Sequence, residues 1–274
     1  MKPKTIVLTG ASDGIGAAAA RQLAADGHRL VLVGRSPDKL AGVAKETGSQ
    51  SIVADFSSLA QVRHAADEIL RLCPAIDVLA NNAGLISGGE RTVTEDGHET
   101  TNQVNYLATF LLDRLLLERL TASRATVIAT SSMAHWGGRI DLGDMDHERS
   151  YVSFAAYADS KLALLLHTRQ LQRNYGRRGL AAVAFHPGVV GSNFSVASGG
   201  FMGKFYSSPA KVLLTTPAKG ADSLVFLAEA TPGVDFRPGG YVIKRRPATA
   251  RACVNDVKLG EALWANTEQV LGLE

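Results

Sequence analysis

The feature that most constrains the fold is a regular alternation of short apolar runs with longer helical patterns. The apolar runs, rich in Val, Ile and Leu, cover 5–9, 29–33, 51–54, 76–80, 125–130, 181–186 and 240–243. Helical patterns, with apolar residues three or four apart, cover 15–26, 37–46, 58–72, 95–119, 154–175, 217–230 and 256–271. Such alternation predicts an α/β fold, a doubly wound and mostly parallel seven-stranded sheet with helices on both faces.

No repeat, low-complexity tract or Pro/Ser-rich linker interrupts the alternation, so we predict a single domain over 1–274. The chain has 274 residues and is 46% apolar, which is enough to fill one large core. Its net charge of +3 is small for this length and does not favour a nucleic-acid partner. Cys73 and Cys253 are too far apart in the sequence to indicate a disulfide framework or a cysteine zinc site.

The N-terminal residues run directly into the first apolar run, which leaves no room for a secretory signal segment. The charge-free stretch 179–203 has the length of a membrane span, but Pro187, Asn193 and many Gly and Ser interrupt it. We therefore expect a cytoplasmic protein without a membrane anchor. The seven His show no metal-ligand spacing, so no metal site is predicted.

A glycine-rich turn joins the first apolar run to the first helical pattern. Gly10, Gly14 and Gly16 form a variant of the fingerprint in which backbone amides approach a dinucleotide pyrophosphate at a helix N-terminus. This turn predicts a Rossmann fold that binds a dinucleotide. The turn residues assigned to the cofactor are Gly10, Ser12, Asp13, Gly14, Ile15 and Gly16.

The same residues also match a different motif. Gly10-Ala-Ser12-Asp-Gly14 fits the G-x-S-x-G nucleophile elbow of an α/β serine hydrolase, which likewise needs a strand, a turn and a helix. An elbow takes an oxyanion donor from an earlier loop, and only nine residues precede Gly10. The hydrolase is therefore kept only as a remote alternative.

The end of the second apolar run indicates which dinucleotide is bound. A carboxylate there would bind the adenosine ribose hydroxyls, whereas a cation would favour a 2′-phosphate. The strand end 30–36 contains no carboxylate, and the planar guanidinium of Arg35, next to Ser36, suits a phosphate. NADP is therefore favoured over NAD, the alternative being an ordinary solvated arginine.

The helical stretch 154–175 carries Tyr157 and Lys161 one turn apart on one face. A phenol has a pKa of about 10 and is a poor acid or base at neutral pH unless a cation stabilises its phenolate. Lys161 can supply that cation. Because ligands bind beyond the C-terminal strand ends of an open parallel sheet, we expect Asn82 to Gly84 and Ser131-Ser132 to converge there with the glycine turn.

In this order, TGASDGIG, NNAG, Asn105, Ser132, YADSK and PGVVGS resemble the short-chain dehydrogenase/reductase superfamily over essentially the whole chain. The resemblance implies an NADP(H)-dependent oxidoreductase that interconverts a carbonyl and an alcohol by hydride transfer. Tyr157 would be the acid or base and Ser132, rather than Ser131, would hold the substrate oxygen. Lys161 would bind the nicotinamide ribose and lower the pKa of Tyr157, and Asn105 would support a water-linked proton relay.

The resemblance also implies cofactor contacts after the later strands. These are Asp55 and Phe56 for the adenine, Asn82, Ala83 and Gly84 for the riboses, and Pro187, Gly188, Val190 and Ser192 for the nicotinamide end. Ser192 stands where the family usually has Thr. An Asp after a strand is also often a helix N-cap, which is the alternative for Asp55.

Two sequence traits indicate which branch of the superfamily the chain resembles. Residues inserted between Ser132 and Tyr157, and a C-terminal helical extension over 255–274, resemble the retinol-dehydrogenase-like and daunorubicin ketoreductase-like reductases. The segment 193–216 is apolar amid Gly and Ser, which predicts either a lid over a small apolar carbonyl or alcohol substrate or a packing interface.

The sequence allows alternatives for the oligomeric state and for the functional class. Family relatives form dimers or tetramers through helices that correspond to 95–119 and 154–175, so a homodimer or homotetramer is one expectation. The functional alternative from another class is a non-catalytic NAD(P)-sensing regulator on the same fold. Regulators of that kind often lose the tyrosine or the lysine, and both are present here.

Overall fold

The computed structural model describes residues 2–188 and 216–273. Its strands are β1 (Thr5–Thr9), β2 (Arg29–Gly34), β3 (Gln50–Val53), β4 (Val78–Asn81), β5 (Thr126–Thr130), β6 (Ala181–His186), β7 (Tyr241–Ile243) and β8 (Arg246–Pro247). Its longer helices are α1 (Gly14–Ala25), α2 (Pro37–Thr47), α3 (Leu59–Leu72), α4 (Ala108–Ala122), α5 (Ser153–Tyr175), α6 (Pro217–Glu229) and α7 (Val257–Leu271). Short 3₁₀ turns cover Met133–Gly137, Gly176–Arg178 and Ala252–Asn255.

The strands form one sheet in the order β3-β2-β1-β4-β5-β6-β7-β8, parallel except for the antiparallel pair β7 and β8. The α/β fold with a mostly parallel sheet is confirmed. The predicted number of seven strands is wrong, because β8 adds an eighth. Lys244 and Arg245 form a two-residue hairpin loop with φ of 50° and 61°, a backbone that Asn-Gly usually signals, so this sequence carried no sign of a hairpin.

The helical stretch expected over 95–119 begins later than predicted. Helix α4 continues, without a break, a short α-helical turn (Thr100–Asn102) and a π-helical segment (Gln103–Leu107). Gly97 has φ of 90°, and the Glu99 carboxylate caps the new helix by accepting a hydrogen bond from the Asn102 amide at 2.7 Å. This buried cap defines the helix start in place of the residues before it.

Two apolar layers enclose the sheet. One packs α1, α2 and α6 against one face, and the other packs α3, α4, α5 and α7 against the opposite face. The strand order reverses between β1 and β4, which lie side by side. A crevice at such a reversal, beyond the C-terminal strand ends, is where open α/β sheets bind ligands. No helix in the described ranges combines the length and apolar character that crossing a membrane requires.

Helix α7 packs against α4 and α5, the helices expected to join copies of the chain. The Trp264 ring stacks on His167 at 5.4 Å and meets Phe110 edge-on at 4.8 Å between ring centroids. The Tyr106 hydroxyl lies 2.7 Å from the Thr267 hydroxyl. The part of α4 and α5 that α7 covers is therefore not open to a second copy.

A buried polar network lies beneath α7 and joins three elements. Asp113 of α4 accepts from Asn81 of β4 and bonds His167 of α5, both at 2.7 Å, and all three side chains are buried. Buried polar groups cost free energy when they lose their partners, so this network fixes the position of the two helices relative to the strand.

Replacing Asp113 by Leu should destabilise the fold, because the Asn81 amide and the His167 ring would each lose a buried partner. We expect the free energy of unfolding to fall by about 3 kcal/mol. Urea unfolding followed by circular dichroism measures the change. Glu118→Leu, exposed on the same helix, should stay within about 0.5 kcal/mol of the parent. Equal losses for both variants would contradict a structural role for the network.

Candidate active site

The glycine turn after β1 is close to the loop that follows β4. Gly10 has φ of 65°, and a Cβ there would lie 2.8 Å from the Cα of Ala83. A Cβ on Gly16 would overlap the carbonyl oxygen of Gly10, so only glycine lets α1 begin so close to the turn. Asp13 is the N-cap of α1, and its carboxylate accepts from the Gly14 amide at 2.7 Å.

Asn82 and Ala83 join the glycine turn to the end of β1. Their backbone amides both donate to the Thr9 hydroxyl at 3.0 Å, and the Asn82 side-chain amide donates to the Thr9 carbonyl at 3.1 Å. Thr9 was not singled out in the sequence, although it is the residue that connects the two strand ends. The Asn82 side chain thus supports the turn as well as lying beside the crevice.

The turn fits a dinucleotide. Glycine at positions 10 and 16 lets the turn pack closely against Ala83 and the start of α1, and α1 begins there with its amides directed at the turn. The Ser12 hydroxyl is buried and has no hydrogen-bond partner among the described residues. A buried hydroxyl of this kind is expected to have a partner, and a phosphate or ribose oxygen would supply one. The lack of a hydrogen-bonded base also argues against Ser12 as a hydrolase nucleophile.

Cationic side chains lie beside the end of β2. Arg35 is exposed, and within residues 2–188 and 216–273 its guanidinium makes no hydrogen bond or ion pair. Ser36 occupies the N-cap position of α2, and its hydroxyl makes no capping bond. Lys39, one turn further, lies 2.7 Å from the Asp13 carboxylate. Sequence reasoning missed Lys39, although its i+4 spacing from Arg35 could have indicated it.

Asp55 and Phe56, the residues assigned to the adenine, differ in which of their groups could contact it. One Asp55 carboxylate oxygen accepts from the Ser57 amide at 2.9 Å and lies 2.8 Å from the Ser57 hydroxyl. Helix α3 begins at Leu59 with Ser58 in the N-cap position, so the N-cap alternative for Asp55 is wrong. The Phe56 ring is buried in the core, which leaves only its backbone beside the crevice.

Tyr157 and Lys161 lie on α5 facing the ends of β4 and β5. The Lys161 ammonium donates to the Thr130 carbonyl at 3.0 Å and lies 5.6 Å from the Tyr157 ring centroid. A Cβ on Gly84 would lie 3.3 Å from Nζ of Lys161 and 3.1 Å from Oδ1 of Asn105. The structure therefore brings four of the expected residues together: Gly84, Asn105, Tyr157 and Lys161.

Asn105 lies in the π-helical segment and is fully buried. Its Oδ1 accepts from the Leu85 amide at 2.7 Å, and its Nδ2 donates to the Leu85 carbonyl at 2.9 Å and to the Ser160 hydroxyl at 3.0 Å. Ser160, in turn, donates to the Tyr157 carbonyl at 2.8 Å. This link from the β4 loop to α5 starts in the π-helical segment. Such segments, in which a helical turn holds an extra residue, are common at functional sites.

The two serines after β5 have different surroundings. The Ser131 hydroxyl is buried and donates to the Lys161 carbonyl at 3.1 Å. Ser132 is half-buried and begins the 3₁₀ turn, and its hydroxyl oxygen accepts from the Ala134 amide at 3.2 Å. That bond leaves the hydroxyl hydrogen of Ser132 available, so the geometry favours Ser132 as the serine that faces a substrate.

Burial shifts the pKa values of the groups around Tyr157. It lowers the pKa of Lys161 to about 7 and that of His186 to about 4. Burial also raises the pKa of Tyr241, with a further contribution from the negative charge of ionised Tyr157. Electrostatic interactions are strong where side chains are buried from water, so the Lys161 ammonium has a large effect on the Tyr157 phenol.

The loop after β6 is described only in part. Pro187 and Gly188 are half-buried at its start, and Gly188 has φ of 90°. Val190, Ser192 and nearly all of the predicted lid 193–216 fall outside the described residues. Within those residues no group of three or more His, Cys, Asp or Glu side chains is placed to hold a metal ion.

The buried lysine gives the stability a specific pH dependence. Between about pH 7 and 10.5 the unfolded chain keeps the Lys161 proton that the folded protein has lost, so the contribution of Lys161 to the unfolding free energy should rise with pH through this window. Lys161→Met should remove that rise. The difference in unfolding free energy between parent and variant, measured in urea from pH 6 to 10, should shift in favour of the parent. A constant difference would contradict a depressed lysine pKa.

Comparisons with known proteins agree with this geometry. A family model described as short chain dehydrogenase matches residues 4–199. A proposed daunorubicin C-13 ketoreductase of Streptomyces sp. (strain C5) is 39% identical, over 98% of this chain and 93% of its own length. Human retinol dehydrogenase 13 is 33% identical, over 99% of this chain and 85% of its own length.

Two solved structures share the fold. An uncharacterised protein from Mycobacterium paratuberculosis superposes with a TM-score of 0.80 at 32% identity, over 99% of this chain and 94% of the other. A short chain dehydrogenase from Burkholderia cenocepacia in complex with NADP gives 0.69 at 25% identity, over 88% and 95%. The chain therefore belongs to the short-chain dehydrogenase family of oxidoreductases, in its retinol-dehydrogenase-like branch.

Proposed function

We propose that this protein is an NADP(H)-dependent oxidoreductase that interconverts a carbonyl and an alcohol, with Tyr157 as the acid or base. The observation that carries the proposal is the buried Lys161 ammonium beside the Tyr157 ring, between Gly84 and the Thr130 carbonyl. A phenol placed next to a cation in a dry site is suited to proton transfer near neutral pH.

In the reducing direction, Tyr157 donates its phenolic proton to the carbonyl oxygen of the substrate. The Ser132 hydroxyl donates a hydrogen bond to the same oxygen and so stabilises the negative charge that grows on it. A nicotinamide held in this site would supply the hydride to the carbonyl carbon. In the oxidising direction, the phenolate accepts the hydroxyl proton of the alcohol, the hydrogen on the carbinol carbon would leave as hydride to an oxidised nicotinamide, and Ser132 holds the oxygen as before.

Lys161 acts on the phenol through its charge. Its protonated form stabilises the phenolate and so lowers the pKa of Tyr157. Asn105 and Ser160 hold the turn of α5 that presents Tyr157, since Ser160 bonds both the Asn105 amide and the Tyr157 carbonyl. We assign the water-linked relay of protons toward Lys161 to this side of the site, next to Asn105.

The cofactor would lie along the crevice from the end of β2 to the start of α5. The glycine turn with Ser12 would hold the pyrophosphate, Asp55 the adenine, and Asn82 to Gly84 the ribose nearest Lys161. Pro187 and Gly188 would face the nicotinamide, with Val190 and Ser192 expected there as well.

Two cations support the choice of NADP. The exposed guanidinium of Arg35 has no partner in the described part of the chain, and a 2′-phosphate would give it a bidentate one. Lys39 neutralises Asp13, the carboxylate that would otherwise repel a phosphate in the turn. The B. cenocepacia dehydrogenase, which holds NADP, supports the same choice. NADPH as the cofactor favours reduction as the physiological direction.

An apolar substrate agrees with the surface around the site. Four large apolar side chains are exposed just after Ser132 and just before Tyr157: Met133, Trp136, Val152 and Phe154. One relative is named a ketoreductase and another a retinol dehydrogenase, which correspond to the two directions of one reaction. We therefore propose a small apolar ketone, aldehyde or alcohol as the substrate.

Tyr157→Phe should abolish turnover while leaving cofactor binding intact, because only the proton path is removed. We expect kcat to fall by at least about a thousandfold and the Kd for NADPH to change less than twofold. NADPH oxidation with a panel of aromatic, aliphatic and steroidal ketones and aldehydes provides the assay. Tyr175→Phe, at the far end of the same helix, is the matched control. Full activity in Tyr157→Phe would exclude the assigned role. Tight NADPH binding without turnover by the parent would favour the regulator.

Arg35→Ala should reduce the preference for NADPH over NADH. A charged hydrogen-bond pair contributes about 1.5–3 kcal/mol, so the affinity for NADPH should fall roughly tenfold to a hundredfold. The affinity for NADH should hardly change. Isothermal titration with both cofactors measures the two values, and Lys45→Ala, exposed further along α2, is the control. Equal affinities for the two cofactors in the parent would refute the NADP assignment.

A further inference from the structure

The turn that presents Ser132 is held by a residue from the C-terminal part of the chain. Arg251 immediately precedes the 3₁₀ turn Ala252–Asn255 and lies beyond the residues 4–199 that the family model matches. It contacts the middle of the turn Met133–Gly137 and the residue that follows the turn. Its backbone amide donates to Nε2 of His135 at 3.4 Å, and its guanidinium donates to the carbonyl of Gly138.

The two bonds of His135 determine its tautomer. Nδ1 lies 2.6 Å from the Ser132 carbonyl oxygen, which can only accept, so Nδ1 carries the hydrogen. Nε2 faces the Arg251 amide, which can only donate, so Nε2 is the acceptor. Both bonds require the neutral imidazole. Burial and the charge of Arg251 lower the pKa of His135, which agrees with a ring that stays neutral.

The His135 ring is fixed by its surroundings. It is fully buried, and the Tyr241 ring of β7 meets it edge-on at 5.2 Å between centroids. The Ser132 carbonyl accepts from both the backbone amide and the ring of His135, at 3.2 Å and 2.6 Å. The backbone of Ser132 is therefore tied to a residue that cannot rotate without losing two bonds and its packing.

The other end of the turn is pressed against the helix that carries Tyr157. A Cβ on Gly138 would lie 2.5 Å from the carbonyl oxygen of Ala158, the residue after Tyr157. The guanidinium of Arg251 holds Gly138 in this position. The chain of contacts therefore runs from Ser132 through His135 and Arg251 to Gly138, and from there to the turn of α5 next to Tyr157.

We propose that His135 and Arg251 are positioning residues that set the Ser132 hydroxyl relative to the Tyr157 phenol, an inference that rests on the proposed function. The C-terminal segment thereby becomes part of the machinery for the carbonyl and alcohol reaction. The His135 side chain is fully buried, and the Arg251 guanidinium is bound to the Gly138 carbonyl, so both act through the backbone that carries Ser132. A displacement of about 1 Å in a reacting group can cost a hundredfold in rate, so loosening this link should lower kcat.

Two substitutions at His135 test the hydrogen bond of Nδ1 and that of Nε2 separately. Asn places an amide nitrogen near the position of Nδ1 and can still donate to the Ser132 carbonyl, whereas Gln reaches only the position of Nε2. We expect His135→Gln to lower kcat by roughly tenfold to a hundredfold with the Kd for NADPH unchanged, and His135→Asn to recover most of that loss. A role in folding alone would not give this recovery in kcat at constant cofactor affinity.

Arg251→Leu tests the other end of the link and should lower kcat in the same range. Arg246→Leu, exposed on β8, is the matched control and should leave kcat unchanged. The ¹⁵N chemical shifts of His135 in the parent provide a measurement independent of activity. At pH 8 they should show a neutral ring protonated at Nδ1.

The outcomes distinguish this inference from the function on which it rests. Turnover by the parent with an unchanged kcat in His135→Gln would overturn the positioning role alone. A ring that is protonated at Nε2 at pH 8 would also overturn it. A parent that turns over no carbonyl or alcohol would overturn the proposed function and this inference together.

Discussion

The burial of one ammonium group determines how the rest of the site is arranged. Lys161 is almost fully inaccessible and donates to the Thr130 carbonyl, so its charge is stabilised by very few groups. Room for it exists because Gly84 has no side chain and because Asn105 is held by the backbone of Leu85. Burial away from water makes the charged form of Lys161 unfavourable in free energy. The same low dielectric strengthens its electrostatic interaction with the neighbouring phenol.

That burial depends on the topology of the sheet. Lys161 reaches Thr130 because α5 crosses the C-terminal end of β5, and Gly84 is nearby because β4 lies beside β5. The hydroxyl of Thr9 then ties the β4 loop to the glycine turn. The glycine turn and the Tyr157–Lys161 pair therefore lie at the same edge of the sheet, although the sequence separates them by more than a hundred residues.

Much of this could be predicted from the sequence, since the signals are local. The glycine turn, the spacing of Tyr157 and Lys161, and the apolar strands each follow from residue types close together in the chain. Strand β8 and the start of the helix at Thr100 could not be predicted. The first depends on positive φ at Lys244 and Arg245, and the second on a buried cap, Glu99, that only the folded chain creates.

The sequence by itself determined the fold class, the family and the residue types available for proton transfer, because periodicity and motif spacing act over a few residues. Only the tertiary structure showed that the Ser131 hydroxyl bonds the Lys161 carbonyl, that Lys39 pairs with Asp13, and that Arg251 bonds the turn after Ser132. Each of these depends on a distance between segments far apart in the chain. Such distances are set by how the helices pack on the sheet, which no local pattern encodes.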